Sequence, residues 1–220
     1  MLTEEFLENG IIVYQNDELY TFTSDAILLS KFATVKKGEK VADFCSGSGV
    51  VGFNLYALNN EKVESVTFFE LQKELFDLSV KSISKNQLQN KFFAYNKKIQ
   101  EIDSSFYGKF SLITCNPPYM KKNAGDGKMG KSKKIAMSEE ELTLAELIEK
   151  ISKCLKYGGR TAIVHRADRL SEIIVEMNKN NIEPKLLTPV SALNKEPYLV
   201  LIEGVKGGKS SIKITNPIIN

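Results

Sequence analysis

The sequence VADFCSGSG, residues 41–49, joins an apolar stretch to a glycine-rich turn, and a helix-like pattern follows it directly. Glycines at such a junction let the backbone approach a ligand closely, as they do at the nucleotide sites of doubly wound sheets. Gly47, Gly49 and Gly52 also satisfy G-x-G-x-x-G, so a dinucleotide such as NAD must be weighed. Asp43 argues against NAD, because a carboxylate there would repel a pyrophosphate. An acid at this place suits a ligand that carries an ammonium group and no phosphate.

Outward from this turn, short apolar stretches alternate with amphipathic ones, which indicates a parallel sheet with helices on both faces. Strands are expected at 40–44, 65–70, 92–95, 110–115, 159–166, 185–190 and 197–205. Helices are expected at 50–60, 72–87, roughly 139–157 and 168–181. Only SALNKE separates the last two strands, so they should pair antiparallel. The predicted fold is α/β, with a mostly parallel seven-stranded sheet and an antiparallel edge strand.

The N-terminal part of the chain lies outside this alternation. Residues 11–22 are typical of a hairpin around the turn formers Asn16 and Asp17. A helix should follow Ser24 or Asp25, either of which can serve as its N-cap. The predicted organisation is therefore an N-terminal hairpin and helix (1–39) that pack on the core domain (40–206), followed by a C-terminal tail (207–220).

The helix expected at 139–157 carries signals at both ends. Ser138 and Glu141 have the spacing of a capping box, in which two side chains satisfy the first backbone N–H groups. Gly158 and Gly159 are typical of a helix C-terminus.

Composition excludes several classes of protein. At 220 residues the chain suits one domain, and its net charge of +3 is far from that of a protein that coats nucleic acid. No apolar run approaches the roughly 20 residues of a membrane helix, and acidic residues stand where a signal peptide would be basic. Three separated cysteines and one histidine make structural zinc and disulfides unexpected. We expect a cytoplasmic monomer with no metal and no membrane contact.

Two polar residues end the second and third parallel strands. Glu70 lies 21 residues beyond Gly49, where a carboxylate accepts both hydroxyls of a ribose. The alternative is an exposed Glu that begins a helix and is favoured by its dipole. Asn96 has an amide that can face an adenine ring, although Asn after a strand is often only a turn residue.

The fourth parallel strand ends in CNPPY, residues 115–119. Two prolines stop a strand, and that is the simplest explanation of the motif. They also stiffen the loop, so that the Asn116 amide oxygen and the Pro117 carbonyl can be aimed at one amino group. Tyr119 offers a flat face for a planar substrate. Two acceptors on an amine and no strong base are consistent with transfer of a group to that nitrogen, helped by alignment.

A basic segment follows directly. Residues 121–134 hold six lysines and one acid among three glycines. A solvated loop is the simplest interpretation of such a segment, and a surface that contacts phosphate groups is the alternative. His165, Arg166 and Arg169 follow the fifth strand at the same edge of the sheet and can add to such a surface, although His165 can equally be a neutral histidine at a strand end.

At these residues the chain resembles the class I S-adenosylmethionine-dependent N-methyltransferases of the NPPY type. The stretches SDAILLSKF, DFCSGSGVVG, CNPPYMK, GGRTAIVHRADRL and LVLIEGVKGGK are similar to the bacterial tRNA1(Val) adenine-N6-methyltransferases, and they span most of residues 9 to 209. The resemblance implies a Rossmann-like methyltransferase fold, S-adenosylmethionine as cofactor and tRNA as partner. It implies N6-methylation of the adenosine on the 3′ side of the anticodon.

The resemblance also implies roles for individual residues. The cofactor would be bound by Asp25, Asp43, Cys45, Ser46, Gly47, Gly49, Glu70, Asn96 and Asn116. The reaction would be carried by Asn116, Pro117, Pro118 and Tyr119. The RNA would be contacted by Lys121, Lys122, Lys128, Lys131, Lys133, Lys134, Arg166 and Arg169. Two residues depart from the usual pattern: Cys45 replaces a glycine, which is tolerable if its backbone angles are ordinary, and Asn96 replaces an Asp at the adenine.

Other functions remain open at this point. A protein-glutamine N5-methyltransferase of the release-factor type would use the same acceptors, but such enzymes usually carry an added N-terminal helical domain. A DNA adenine or a ribosomal guanine is also a possible target. A non-catalytic module that only holds RNA would not need Asp43, Glu70 and an intact NPPY together.

Overall fold

The computed structural model describes residues 1–118 and 142–220. Its strands are β1 Leu2–Phe6, β2 Ile12–Asn16, β3 Glu39–Phe44, β4 Val63–Glu70, β5 Phe92–Asn96, β6 Phe110–Cys115, β7 Leu155–Arg166, β8 Ile182–Ser191, β9 Leu199–Lys206, β10 Lys213–Ile214 and β11 Ile218–Ile219. Its α-helices in these ranges are α1 Ser24–Phe32, α2 Val50–Asn59, α3 Lys73–Lys85, α4 Leu144–Cys154 and α5 Leu170–Lys179.

The main sheet has the order β10-β8-β9-β7-β6-β3-β4-β5, and β11 also pairs with β8. Strands β5, β4, β3, β6 and β7 are parallel, and β9 runs antiparallel between β7 and β8. The predicted α/β fold and the antiparallel pairing of β8 with β9 are confirmed. The C-terminal segment folds back, because its two short strands extend the sheet beyond β8.

The central strands are buried on both faces, which explains their continuous apolar sequences. Successive side chains of a strand point to opposite faces. On β4, Phe68 packs with the cluster that also contains residues of α1, α2 and α3, whereas Phe69 packs with residues of α4 and α5. The sheet therefore has three helices on one face and two on the other within the described ranges.

The chain reverses its direction across the sheet at β3. From β3 it proceeds outward to β4 and β5, and it then returns to β6 on the other side of β3. Ligands of open α/β sheets bind at such a switch point, beside the carboxyl ends of the strands. Here those ends lead into the glycine-rich turn after β3 and into Asn116 after β6.

The structure corrects the predicted hairpin. Strands β1 and β2 pair antiparallel, and the turn between them contains Asn9 and Gly10, both with positive φ. Asn16 therefore ends the hairpin instead of forming its turn. The N-cap of α1 is Thr23, so the predicted caps Ser24 and Asp25 already lie in the first turn of the helix.

The structure also corrects the ends of the helix that precedes β7. Helix α4 has its capping box at Thr143 and Glu146, whereas the predicted pair, Ser138 and Glu141, lies outside the described residues. The helix ends at Cys154, because Leu155 already pairs with β6. The glycines predicted to end the helix lie inside β7, where the register with β6 shifts.

Candidate functional site

A cleft opens over the carboxyl ends of β3, β4 and β6. Its main chamber comprises about 620 Å³ and a smaller side chamber about 370 Å³ of empty space, including the part that is open to solvent. Tyr20, Cys45, Gly47 and Asn116 line both chambers, so the two are parts of one elongated site. The main chamber is also lined by Phe69, Glu70, Leu71, Gln72, Leu75, Lys97, Lys98, Ile99, Gln100, Pro118 and Leu142. The side chamber is also lined by Phe22, Ala26, Ser46, Ser48, Val50 and Val51.

The glycine-rich turn forms the boundary between the chambers. Gly47 and Gly49 have φ of +57° and +88°, a region that favours glycine. The turn is tied to the sheet by the N–H of Ser46, which donates to the carbonyl oxygen of Phe69 at 3.1 Å. Gly49 does not line the cleft, and a Cβ added there would lie 2.9 Å from the ring of Phe53. Its role is to let α2 begin close to the sheet.

Cys45 has a φ of +55°, so its backbone angles are not ordinary. A residue other than glycine held in this region costs on the order of 1–3 kcal/mol. The condition under which Cys45 was expected to replace a glycine without penalty is therefore not met. Its side chain lines both chambers and packs against the cluster that contains the buried Cys115.

Asp43 lies beneath the wall of the cleft and is 1% exposed. One carboxylate oxygen accepts from the Thr114 hydroxyl at 2.7 Å, and the other accepts from the Gly52 N–H at 3.2 Å. Burial raises the pKa of Asp43 to about 7, while these two hydrogen bonds act in the opposite direction. This placement corrects the predicted direct contact with an ammonium group. Asp43 instead holds the start of α2 onto β6.

Glu70 lines the main chamber, and its contact with a ribose stays a prediction. Its carboxylate accepts from the N–H of Gly47 at 2.7 Å and from the N–H of Gln72 at 2.8 Å. Burial raises the pKa of Glu70, and these backbone hydrogen bonds oppose the shift. Each oxygen retains acceptor capacity, so the carboxylate can still receive the hydroxyl groups of a sugar.

Asn96 and Asp25 do not line the cleft. The Asn96 amide donates to the carbonyl oxygens of Glu70 and Leu71, both at 2.9 Å, so it fixes the turn after β4. The wall near Asn96 is formed instead by residues that follow it, among them Lys98 and Ile99. These bonds give Asn96 a structural role, and its predicted contact with an adenine stays a prediction.

Asn116 occupies the centre of the cleft, at the end of β6. Its Oδ1 is buried and has no hydrogen-bond partner among the described residues. Buried acceptors are nearly always satisfied in native proteins, so an exception needs an explanation. Pro118 lines the main chamber and Pro117 is buried, and the fixed φ angles of the two prolines restrict the backbone that follows Asn116. Tyr119 lies outside the described residues.

Ser46 supplies a second polar atom of this kind. Its Oγ is buried in the side chamber and has no partner among the described residues. Asn116 Oδ1 and Ser46 Oγ thus lie on the walls of one cleft, and the remaining surface of that cleft is largely apolar. This arrangement fits a ligand with a flat apolar part in the main chamber and a polar end in the side chamber.

The residues predicted to contact RNA have different outcomes. Arg169 is 5% exposed and donates to both carboxylate oxygens of Glu172, at 2.7 and 2.6 Å, so the prediction of a phosphate contact is wrong for Arg169. Arg166 is exposed and pairs with Asp168, at 3.0 and 2.5 Å. The six lysines at 121, 122, 128, 131, 133 and 134 lie outside the described residues.

His165 takes no part in the cleft. It is buried at the end of β7, and its Nδ1 accepts from the N–H of Arg166 at 2.9 Å. Burial lowers the pKa of His165 to about 4, so the ring is neutral at physiological pH. In residues 1–118 and 142–220, no three His, Cys, Asp or Glu side chains are grouped so that they could hold a metal ion. None of the described helices is long and apolar enough to cross a membrane.

Sequence reasoning missed most of the apolar walls. Tyr20 and Phe22 come from the segment between β2 and α1, and they cover the cleft from the N-terminal side. Leu71 precedes α3 and Leu75 lies near the start of that helix, and both line the main chamber. Nothing in the sequence marks these residues as wall residues.

The fold and the cleft define a Rossmann-like methyltransferase. The family model for the methyltransferase small domain matches residues 13–183, and the chain belongs to that family. The predicted family and fold class are confirmed.

Curated relatives share a name at modest identity. A tRNA1(Val) (adenine(37)-N6)-methyltransferase of Shewanella woodyi is 25% identical over 173 residues, 77% of this chain and 69% of that protein. Proteins of the same name are 24% identical in a Flavobacteriaceae bacterium, with 87% and 79% covered, and 23% identical in Photobacterium profundum, with 82% and 75% covered.

Solved structures support the fold. A predicted O-methyltransferase from Agrobacterium tumefaciens has a TM-score of 0.70 at 18% identity, with 89% of this chain and 86% of that chain covered. Methanocaldococcus jannaschii Trm5 in complex with adenosine has a TM-score of 0.67 at 16% identity, with 94% and 57% covered.

Proposed function

We propose that this protein transfers a methyl group from S-adenosylmethionine to the exocyclic N6 of an adenosine in tRNA, the adenosine on the 3′ side of the anticodon. The family supports methyl transfer, and the names of the curated relatives support the tRNA target. A tRNA substrate is consistent with the cytoplasmic location expected from the sequence.

The observation that carries the proposal is the buried Oδ1 of Asn116, which has no hydrogen-bond partner in residues 1–118 and 142–220. An acceptor in this state loses the free energy of a hydrogen bond until a donor arrives. An exocyclic amine is such a donor. Two acceptors on its hydrogens, Asn116 Oδ1 and the carbonyl of Pro117, would direct the nitrogen lone pair toward the cofactor. The amine proton can leave after attack, so no strong base is needed beside Asn116.

The residues of the cleft fit the cofactor. S-adenosylmethionine supplies an electrophilic methyl group on a sulfonium centre. Glu70 would accept from the ribose hydroxyls, and the apolar walls around Ile99 and Leu71 would cover the adenine. The buried Oγ of Ser46, which has no partner in the part of the chain that the structure describes, and the backbone at Gly47 would hold the polar methionine end. Asp43 would act from below, by fixing the helix that starts at this turn.

A tRNA base must be turned out of its stack to enter such a cleft, which requires contacts to the RNA backbone beside it. We retain the lysines of 121–134 and Arg166 as proposed phosphate contacts. Tyr119 remains the proposed stacking partner of the turned-out base. Arg169 is withdrawn from this set, because its guanidinium is buried on Glu172.

Incubation with tritiated S-adenosylmethionine tests the proposal. The protein is mixed in parallel with a valine tRNA transcript, total RNA, DNA and release factor, and labelled products are digested to nucleosides or amino acids. Label in N6-methyladenosine from the tRNA is expected. Label in a glutamine side chain would identify release factor as the substrate, and label in DNA alone would identify DNA. Either result would contradict the proposed tRNA substrate. No label in any acceptor would contradict the enzymatic function.

The cofactor assignment has its own test. Calorimetric titration should show saturable binding of S-adenosylmethionine that weakens strongly in Glu70→Ala, because the ribose hydroxyls lose their acceptor. Glu74→Ala is the matched control, since Glu74 is exposed on the first turn of α3 and does not line the cleft. Tighter binding of NAD than of S-adenosylmethionine would overturn the assignment.

A further inference from the structure

A hydrogen bond joins the N-terminal hairpin to the glycine-rich turn. The Nε2 of Gln15, on β2, donates to the Oγ of Ser48 at 2.6 Å. Both residues are buried, at 3% and 5% exposure. Ser48 lies between Gly47 and Gly49 and lines the side chamber. A serine hydroxyl can donate or accept, so this contact persists if the oxygen and nitrogen of the Gln15 amide are exchanged.

The hairpin that carries Gln15 is fixed to α3 by its backbone. The N–H of Tyr14 donates to the Ser82 hydroxyl at 2.9 Å. The N–H of Ile12 donates to Asn86 Oδ1 at 2.9 Å, and Asn86 Nδ2 donates back to the Ile12 carbonyl at 2.7 Å. Gln15 therefore reaches the turn from a rigid support.

Gln15 occupies a position where packing alone would favour an apolar residue. It has the same strand parity as Val13, which belongs to the apolar cluster of α1 and α2. Its Oε1 is buried without a partner among the described residues. A buried amide that is only partly satisfied is less favourable than an apolar side chain of the same size. Its presence therefore requires a benefit other than stability.

The turn needs an external support. Gly47 and Gly49 leave its backbone with more conformational freedom than other residues would. Gly47 must also keep its N–H on Glu70, which lies in the main chamber. Ser48 is the side chain between the two glycines, and its bond to Gln15 restricts the turn from outside the sheet.

We propose that Gln15 is a positioning residue for the cofactor turn, acting through Ser48. Gln15 does not itself line the cleft, and it reaches the cleft only through Ser48. Its bond to Ser48 restricts the backbone of the turn before S-adenosylmethionine binds. Less conformational entropy is then lost on binding, and the affinity is higher. The inference rests on the proposed cofactor. It gives the N-terminal hairpin a part in cofactor binding and none in the chemical step.

A double-mutant cycle tests this role. Gln15→Met keeps the volume of the side chain and removes its polar group, and Ser48→Ala removes the other partner. Each single variant should weaken S-adenosylmethionine binding by about 3- to 10-fold, the range of one hydrogen bond. The double variant should bind no more than about twofold more weakly than the weaker single variant, because the two changes remove one interaction. Calorimetry measures the affinities.

A readout other than affinity separates positioning from general damage. Gln15→Met should unfold within a few degrees of the parent, because the removal of an unsatisfied Oε1 offsets the loss of the hydrogen bond to Ser48. It should raise KM for the cofactor while kcat is retained. Tyr14→Phe is the matched control on the same strand. Its hydroxyl contacts Glu4 on the other side of the hairpin, and its loss should leave cofactor affinity within about twofold.

Two results would overturn the inference. An unchanged affinity in Gln15→Met would show that the turn needs no support from the hairpin. Single effects that multiply in the double variant would show that Gln15 and Ser48 act separately. If the parent protein does not bind S-adenosylmethionine, both the proposed cofactor and this inference are wrong. If the parent binds it and Gln15→Met binds it equally well, only the role of Gln15 is wrong.

Discussion

Replacement of Asp43 by Asn should change how the stability of the protein depends on pH. Burial raises the pKa of Asp43 from 3.8 to about 7 in the folded protein. A raised pKa means that the folded state binds the proton more tightly than the unfolded state. The contribution of Asp43 to the free energy of unfolding is therefore fully present below pH 4, declines as pH rises and is lost above about pH 7.

The size of this effect follows from the two pKa values. At pH 5 the Asp43 carboxyl of the unfolded chain has already lost its proton, whereas that of the folded protein keeps its proton until about pH 7. The folded state therefore binds one more proton than the unfolded state over about two pH units, which lowers the free energy of unfolding by about 2–3 kcal/mol between pH 5 and pH 8. Asn does not titrate, so Asp43→Asn should lose about 2–3 kcal/mol less than the parent over this interval. All other titrating residues are the same in both proteins.

Urea denaturation at pH 5, 6, 7 and 8 measures this difference directly. Asn keeps an acceptor for Thr114 but turns an NH₂ group toward the Gly52 N–H, so the variant should be the less stable protein at pH 5. The gap should then close toward pH 8. Thr114→Val provides a second arm, because loss of its hydroxyl should raise the pKa of Asp43 further and move the decline to higher pH. Parallel curves for the parent and Asp43→Asn would refute the reasoning.

The other predictions concern the glycine-rich turn. Gly52→Ala should lower the free energy of unfolding by about 1–3 kcal/mol, measured by urea denaturation, because its Cβ would lie 2.5 Å from the ring of Phe68 and 3.0 Å from Val66. An unchanged stability would mean that α2 is less close to β4 than described. Cys45→Val should destabilise by about 1–2 kcal/mol, since a β-branched residue is strained at a φ of +55°. Cys45→Gly should be nearly neutral, because the backbone strain that it relieves is offset by the loss of the packing of the Cys45 side chain against the core. Equal melting temperatures for these two variants would contradict the positive φ.

The sequence was sufficient for the sheet because its central strands are mostly apolar on both faces. The stretch 110–115, for example, is mostly apolar and fully buried, and amphipathic helices separate such stretches, which leaves a parallel, doubly covered sheet as the arrangement that buries them. The meeting of Glu70 and Asn116 was predictable for the same reason. Both follow parallel strands, whose carboxyl ends lie at one edge.

The position of the hairpin was not predictable in this way. All five residues of β1 are exposed, so its sequence has no buried face that could signal a strand or fix its register. The start of α4 was ambiguous for a different reason. Ser138 and Glu141 have the same spacing as Thr143 and Glu146, and a capping box is recognised by that spacing alone.

The role of Asp43 was predictable in principle. Residues 41 and 43 of a strand share a face, and Val41 packs toward α1 and α2. Strand parity therefore places the Asp43 carboxylate under the turn and toward Gly52. The walls formed by Tyr20 and Phe22 were not predictable, because an irregular segment has no period that distinguishes a wall residue from a core residue.

Single-turnover methylation of a valine tRNA transcript by Asn116→Ala tests the central claim most directly. If Asn116 accepts a hydrogen bond from the target amine, the rate of methyl transfer should fall by about 10² to 10³, the loss typical of one preorganised polar group. The affinity for S-adenosylmethionine should stay within about twofold, because Asn116 is assigned mainly to the other substrate. Asn60→Ala, at the exposed end of α2, should retain the rate of the parent. An Asn116→Ala protein that methylates at the parent rate would contradict the account, and would show that the NPPY segment only ends β6.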